Sequence, residues 1–274
     1  AAGGTAVFAA GDVRVTSTIT IPASTKVIAY GAIFDIEITG AYPGIAVNDN
    51  TSWEGGTVVT TGISGYVSGE DHTAFTIGDY TTGVGYDNVS ISKVTVSATG
   101  PTPPNTILVT GDSSNIYLGD ITVSSSATTA CGILVHWGAN FGAGNPSAVN
   151  PSKHPHNVTI ERCNIGALTY PNATWGISLS GVYATTVRDC TVAQAHFGID
   201  WVAGDYGFKY SGFTNATTLN GVSFNNCIVK KATGHGIVVD GGVELFTETS
   251  ENFVTFNDCN VTGPSTEAAL SGST

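Results

Sequence analysis

The sequence predicts an all-β fold, a single-stranded right-handed parallel β-helix of about nine coils with three strands per coil. Two recurring motifs indicate this fold: Gly-apolar-x-apolar, and apolar-x-apolar-x-x-Cys-x-apolar. Neither motif has the periodicity of an α-helix. A coil built from such short alternating strands cannot bury its own apolar face, so it needs similar coils above and below it.

The first motif predicts one strand in each coil. Its alternation sends apolar residues to one face of the strand and the intervening residues to the other. Five copies begin at Gly44, Gly132, Gly176, Gly198 and Gly236, and weaker copies beginning at Thr18, Ala74, Thr106 and Glu267 bring the total to nine.

The second motif predicts two further strands, separated by a two-residue corner such as Asn225-Asn226. In its later copies one position is always cysteine: Cys163, Cys190, Cys227 and Cys259. Disulfides or a metal site would fit a column of cysteines, but Val94 and Ile121 occupy the same position in other coils. That exchange favours buried free thiols and no metal, and unpaired thiols imply folding in a reducing cytoplasm.

Composition limits the classes of partner. Charged residues are only 11% of the chain, and 21 Asp and Glu stand against 9 Lys and Arg. An acidic surface argues against nucleic acid and anionic membranes, and no apolar run is long enough for membrane insertion. We expect residues 1–274 to form one domain that needs no cofactor. The absence of a signal peptide and an initiator Met indicates a piece of a longer protein.

The first 35 residues contain a recognisable opening pattern. Gly3-Gly4-Thr5 precedes Val7 and Phe8, and a strand at Thr18–Pro22 leads to Gly31-Ala32-Ile33. This pattern resembles the opening coil of pectate-lyase-like β-helices, which occur in phage tailspikes and in bacterial enzymes that degrade polysaccharides. The resemblance implies a homotrimer, because tailspike helices commonly assemble side by side.

Two loop insertions, at about 137–156 and 203–220, lengthen the repeat at the same corner two coils apart. Such loops are more often functional than idle, and aromatic faces, imidazoles and carboxylates bind sugars. They can also pack together as a satellite core beneath the loops. The substrate-binding candidates are His136, Trp137, His154, His156, Tyr206 and Tyr210, with Glu244 near the second insertion.

Alignment of the first motif predicts two outward rows of side chains. One contains Leu134, Ser178, Asp200 and Val238, and the next contains His136, Ser180, Val202 and Asp240. Asp200 and Asp240 would then lie on adjacent coils, with backbones about 8 Å apart. That separation suits the two carboxyl groups of an inverting glycosidase. Asp205 is a third catalytic candidate, and the alternative is that these carboxylates are solvated strand residues.

Gly234-His235-Gly236 resembles a strand start found in polygalacturonases, which share the predicted fold. That family carries aspartates at positions that correspond here to Phe197 and Trp175, so the resemblance does not extend to its acid and base. A uronate lyase would need a cationic group, and Arg162 and Arg188 fall at a corner away from the insertions.

The sequence therefore predicts a phage tailspike-like protein that binds and degrades a bacterial surface polysaccharide by hydrolysis of glycosidic bonds. It would act in the virion tail or outside the cell. A noncatalytic receptor-binding spike, a polysaccharide lyase on the same fold and a purely structural shaft remain alternatives.

Overall fold

The computed structural model describes residues 3–38, 43–61, 73–99, 105–138, 154–171, 173–202, 221–240, 254–263 and 270–273, with only the backbone for Asp240 and 270–273. This part of the chain forms 27 β-strands and no helix. It therefore contains no helix long and apolar enough to cross a membrane. The strands form three parallel sheets of nine strands each, which confirms the right-handed parallel β-helix.

We number the strands in chain order and call the three sheets A, B and C. Sheet A contains β1 (Thr5–Val7), β4 (Lys26–Ile28), β7 (Ser52–Glu54), β10 (Ser90–Ser92), β13 (Ser114–Gly119), β16 (His156–Glu161), β19 (Thr185–Arg188), β22 (Val222–Asn225) and β25 (Val254–Asn257). Sheet B contains β2 (Gly11–Val15), β5 (Ala32–Ile36), β8 (Thr57–Thr60), β11 (Thr95–Ala98), β14 (Thr122–Val123), β17 (Asn164–Ala167), β20 (Thr191–Gln194), β23 (Ile228–Val229) and β26 (Asn260–Val261). Sheet C contains β3 (Ile19–Ile21), β6 (Ile45–Val47), β9 (Thr73–Ile77), β12 (Asn105–Thr110), β15 (Cys131–His136), β18 (Trp175–Ser180), β21 (Phe197–Val202), β24 (Ile237–Asp240) and β27 (Leu270–Ser273).

Each coil adds one strand to sheets A, B and C in turn. The first sequence motif forms sheet C, and the second forms sheets A and B, as predicted. The last copy is shifted by two residues, because Leu270 pairs with Ile237, whereas the motif aligned Leu270 with Val239. In this copy Ala268 and Ala269 are adjacent, so the alternation does not define the register.

Glycines at the start of the sheet C strands explain the first motif. A Cβ on Gly198 would overlap the carbonyl oxygen of Gly236 in the next coil and the side chain of Val229 from sheet B. Gly132 and Gly176 meet the same two kinds of obstacle. The missing side chain therefore lets sheet C approach sheet B closely at this edge of the core.

The corner between sheets A and B turns on a residue with positive φ in successive coils. Asn and Asp tolerate this left-handed conformation better than other residues with a side chain. The predicted corner Asn225-Asn226 follows the rule, with φ of 51° at Asn226. The corresponding residues in the other coils from β10 onward are Lys93, Asp120, Arg162, Asp189 and Asp258.

The cysteine column has the predicted character. All four thiols are free, and Cys163, Cys190 and Cys227 are buried, while Cys259 at the end of the column is partly exposed. The Cys190 thiol lies 3.2 Å from the carbonyl oxygen of Arg188, to which it donates. Contact with the Cys163 thiol, together with burial, raises the pKa of Cys190 to about 12, which leaves it protonated and unreactive.

Candidate functional site

Sheet C pairs the residues of the two outward rows in the register that the alignment predicts. Ser178 pairs with Leu134 on one side and with Asp200 on the other, and Asp200 pairs with Val238. Two residues further along the strands, a second row contains His136, Ser180, Val202 and Asp240. The strand register thus brings the candidate residues of β15, β18, β21 and β24 onto one face.

Asp200 is buried on this outward row. Its residue is only 3% exposed, although an outward strand position would usually face solvent. The Ser178 hydroxyl lies 3.2 Å from Asp200 Oδ2 and donates a hydrogen bond to it. The other carboxyl oxygen, Oδ1, is also buried and has no hydrogen-bond partner among the described residues. A carboxyl group held at one oxygen and unsatisfied at the other is uncommon in a folded protein.

Burial dominates the electrostatics of Asp200. Removal from water disfavours the charged form and raises the pKa of Asp200 to about 7, against the opposing effect of the Ser178 hydrogen bond. The nearby Cys131 thiol is buried too, and its pKa is raised first by burial and then by the Asp200 charge. The carboxyl group therefore holds a proton up to near neutral pH, as a general acid must.

Asp240 follows on the adjacent strand. It pairs with Val202, so it lies one coil from Asp200 and two residues further along the strand. The coil spacing and strand rise place the two backbones about 8 Å apart.

His136 ends β15 in the second outward row and is half-buried. The Gly138 backbone N–H donates to His136 Nδ1 at 3.0 Å, and the Tyr80 ring lies 5.5 Å from the imidazole. Burial, followed by the proximity of His154, lowers the pKa of His136 to about 4. The ring is therefore neutral near pH 7, with its proton on Nε2, since Nδ1 accepts a hydrogen bond.

Trp137 and His154 form a buried pair. Their rings stack at 4.4 Å with an interplanar angle of 13°, and the residues are 1% and 0% exposed. His154 Nδ1 lies 2.7 Å from the Gly181 carbonyl oxygen, which is a suitable acceptor for its N–H. The sequence treated both rings as sugar-binding surfaces, but in the structure they pack beneath the corner as the alternative satellite core.

His156 begins β16 on sheet A and is half-buried. Its ring stacks on Tyr183 at 4.9 Å with the two planes nearly parallel, at 3°. Nδ1 lies 3.0 Å from the His154 carbonyl oxygen. If Nδ1 carries the proton and donates there, Nε2 is left as an acceptor.

The remaining sequence candidates lie outside the described residues. They are Asp205, Tyr206, Tyr210 and Glu244, together with the whole of the second insertion, 203–220. Of the first insertion, 137–156, only residues 137–138 and 154–156 are described.

An aromatic stack at the start of β18 and β21 was not predicted as functional. Trp175 stacks on Phe197 at 5.6 Å, and Phe197 stacks on His235 at 5.8 Å, in three successive coils of sheet C. His196 packs edge-on against Phe197 at 4.5 Å. The signal was present in the sequence, because Trp175 and Phe197 occupy the same repeat position in adjacent coils, but it was interpreted only as a departure from the polygalacturonase pattern.

Arg162 and Arg188 are held in ion pairs at the corner between sheets A and B. Both pair with Glu161, which is buried and also accepts a 2.6 Å hydrogen bond from the Tyr117 hydroxyl. Arg162 makes two further bonds to Asp120, at 2.7 and 2.9 Å. These guanidinium groups are engaged on a different edge of the β-helix from Asp200, so they do not supply the cation that a lyase needs beside it.

No protein-family model and no curated protein matches the chain. Three solved structures are similar to it. PfbA, a surface adhesin of Streptococcus pneumoniae, is 11% identical, with coverage of 98% of this chain and 85% of that one and a TM-score of 0.40. The A-module of the Azotobacter vinelandii mannuronan C-5 epimerase AlgE4 is 12% identical, with coverage of 99% and 89% and a TM-score of 0.33. The tailspike protein gp49 of Acinetobacter baumannii bacteriophage Fri1, a capsular polysaccharide depolymerase, is 10% identical, with coverage of 96% and 57% and a TM-score of 0.36. With identities of 12% or less and TM-scores of 0.40 or less, these structures carry no argument about function. The function is therefore inferred from the side chains of this chain.

Proposed function

We propose that this protein binds a bacterial surface polysaccharide and hydrolyses its glycosidic bonds, with Asp200 as general acid and Asp240 as general base. The observation that supports this most strongly is the state of Asp200. It is a buried carboxyl on an outer strand face, its pKa is raised to about 7, and one of its oxygens has no partner among the described residues. Burial of a carboxyl group without full hydrogen bonding lowers the stability of the fold. Such groups are therefore typical of catalytic sites, where the raised pKa is used.

The reaction proceeds in one displacement. Asp200 gives its proton to the glycosidic oxygen as the bond from that oxygen to the anomeric carbon breaks. Ser178 holds Oδ2, so the proton is donated from Oδ1. Asp240 removes a proton from a water molecule, whose oxygen attacks the anomeric carbon from the opposite face. The backbone separation of about 8 Å fits this inverting geometry, which leaves room for the water between the carboxyl groups.

Two half-buried histidines, one at the end of β15 and one at the start of β16, bind sugar hydroxyls in this proposal. His136 is neutral and donates through Nε2, whereas His156 accepts through Nε2. Trp137 and His154 act through packing that supports this corner. Asp205 remains a third catalytic candidate, and Tyr206, Tyr210 and Glu244 remain substrate-binding candidates.

The proposal extends to assembly and location. The resemblance of the opening coil to tailspikes supports a homotrimer in a virion tail, which meets the polysaccharide outside the host after folding in its reducing cytoplasm. Light scattering coupled to size exclusion tests the trimer. A mass equal to one chain contradicts that part of the proposal and leaves the chemistry unaffected.

A noncatalytic receptor-binding spike is the second candidate. The 3% exposure of Asp200 favours it, because a general acid must reach the glycosidic oxygen. In this case the same face of sheet C binds the polysaccharide without cleaving it.

Purified protein incubated with a panel of capsular polysaccharides and lipopolysaccharides separates these candidates. Hydrolysis releases new reducing ends, a lyase releases an unsaturated product, and a receptor binds without release. We expect Asp200→Asn and Asp240→Asn each to reduce hydrolysis at least about 100-fold. Asp12→Asn, which changes an exposed carboxylate on β2, is the matched control. Near-normal hydrolysis in either site variant rejects the assigned pair.

A further inference from the structure

We propose that Trp175 is a sugar-stacking subsite, and that the aromatic stack of Trp175, Phe197 and His235 is a platform that selects a pyranose with an apolar face. This inference rests on the proposed function only for the identity of the ligand as a polysaccharide. It assigns a binding role to residues on the row beside Asp200.

The stack ends at Trp175. In the preceding coil the residue in register with Trp175 is Cys131, which is buried and has no ring. Among the described residues, the Trp175 ring stacks only on Phe197. Trp175 itself is half-buried, so the exposed part of its indole can contact a sugar ring. The C–H groups on the apolar face of a pyranose suit such contact with an aromatic ring.

The platform is held in place from its other side. Phe197 stacks on His235 at an interplanar angle of 18° and meets the His196 ring nearly at right angles, at 85°. Strand pairing of Trp175 with Phe197 fixes the spacing between the first two rings. Trp175 is thus oriented before a ligand arrives, which lowers the entropy lost on binding.

The subsite lies within reach of the same oligosaccharide as the candidate acid. Ser178 follows Trp175 by three residues on β18, and Asp200 follows Phe197 by three residues on β21. Three residues of strand rise are about 10 Å, a distance that about two pyranose rings span, so an oligosaccharide with one sugar on Trp175 can extend to Asp200. The stack then determines which sugar of the repeating unit lies next to the cleaved bond.

Exposure makes Trp175 distinguishable from the other tryptophans. The chain contains 4 Trp, and Trp53, Trp137 and Trp201 are all buried, while Trp175 is half-buried. The indole N–H groups of Trp53 and Trp201 donate to backbone carbonyls at 2.9 and 3.1 Å. A change in the indole signals on addition of ligand therefore reports on Trp175.

The test follows the indole N–H resonances of the full chain, labelled with ¹⁵N, during titration with methyl β-glucoside, methyl β-galactoside and methyl α-rhamnoside. Glycerol serves as a polyol without an apolar ring face. We expect at least one glycoside to shift the Trp175 resonance saturably and to leave the other three in place. Trp175→Ala should weaken binding about tenfold, and Trp175→Phe should restore most of it. The control Tyr30→Ala, which removes an exposed ring on another coil, should have no effect.

Three results overturn the subsite. The first is that no glycoside gives a saturable shift, and the second is that the shifts affect other indole resonances but not that of Trp175. The third is that Trp175→Ala binds the glycoside with the same affinity as the wild type. Asp200→Asn keeps the Trp175 response and separates the two proposals. A protein that binds at Trp175 but cleaves no polysaccharide contradicts the hydrolase alone. A protein that cleaves polysaccharide with equal efficiency after Trp175→Ala contradicts the subsite alone.

Discussion

Replacement of Asp200 by Asn should make the protein more stable relative to the wild type as the pH rises. The pKa of Asp200 is raised from its ordinary value of 3.8 to about 7 by burial. Because the folded state raises this pKa, the contribution of Asp200 to stability is fully present below pH 3.8 and is lost as the pH rises through about 7. Asn carries no charge, so the variant does not lose this contribution.

The magnitude follows from the pKa. Each pKa unit is equivalent to about 1.4 kcal/mol, so ionisation of Asp200 costs the folded protein about 4 kcal/mol between pH 4 and pH 8. The Asn amide places an N–H₂ group in the same buried space, which lowers the variant's stability by about 1 to 3 kcal/mol at every pH. The difference in unfolding free energy between Asp200→Asn and wild type should therefore change by about 4 kcal/mol across this range, in favour of the variant.

Urea unfolding at about pH 4 and about pH 8, followed by tryptophan fluorescence and equilibrated from both the folded and the unfolded side, measures this difference. Asp12→Asn removes an exposed carboxylate on β2 and should show no comparable change. A constant difference between Asp200→Asn and wild type at the two pH values refutes the burial argument. The general-acid assignment would then lose its main support.

Three further predictions concern other parts of the β-helix. The pKa of His136 is lowered from 6.5 to about 4. The unfolding free energy of the wild type should therefore fall by up to about 3 kcal/mol as the pH falls through this interval, and by less if the ring keeps some solvent contact. His136→Gln should abolish this fall, as measured by urea unfolding. This trend opposes the Asp200 trend, so the Asp200→Asn variant should show a rise in stability from about pH 4 to pH 6.5 that wild type lacks. Glu161→Gln removes the buried carboxylate that pairs with Arg162 and Arg188, so it should lower the unfolding free energy by about 2 kcal/mol at neutral pH. An unchanged urea midpoint contradicts a structural role for these ion pairs. In the thiol column, Cys190→Val should change the unfolding free energy by less than about 1 kcal/mol, because Val94 and Ile121 fill the same position in other coils. Cys190→Ser should lower it by about 1 to 2 kcal/mol, because it buries a hydroxyl group. A larger loss for Val than for Ser contradicts the apolar character of the column.

The strand register could be predicted because each position has a neighbour with the same role in the next coil. The row of Leu134, Ser178, Asp200 and Val238 follows from alignment of one motif, and the structure pairs these residues as predicted. The Asn225-Asn226 corner could be predicted for the same reason. At β27 the adjacent Ala268 and Ala269 do not define the alternation, and there the alignment was wrong by two residues.

Burial on the outer face could not be predicted in the same way. Alternation determines on which side of a strand a residue lies, but not what covers that side. Asp200 and Trp137 therefore looked exposed in the sequence, although both are buried. Trp175 was overlooked because a repeat alignment records which residues share a row and does not show where a stack of rings ends.

The location of a bound oligosaccharide tests the central claim most directly. Crystals of Asp200→Asn, soaked with fragments of a polysaccharide that the wild type binds, should show sugar on the outer face of sheet C. One ring should lie on the Trp175 indole, and a glycosidic oxygen of the same oligosaccharide should lie within hydrogen-bond distance of residue 200. Sugar bound only on sheet A or sheet B would contradict both the catalytic assignment and the stacking subsite.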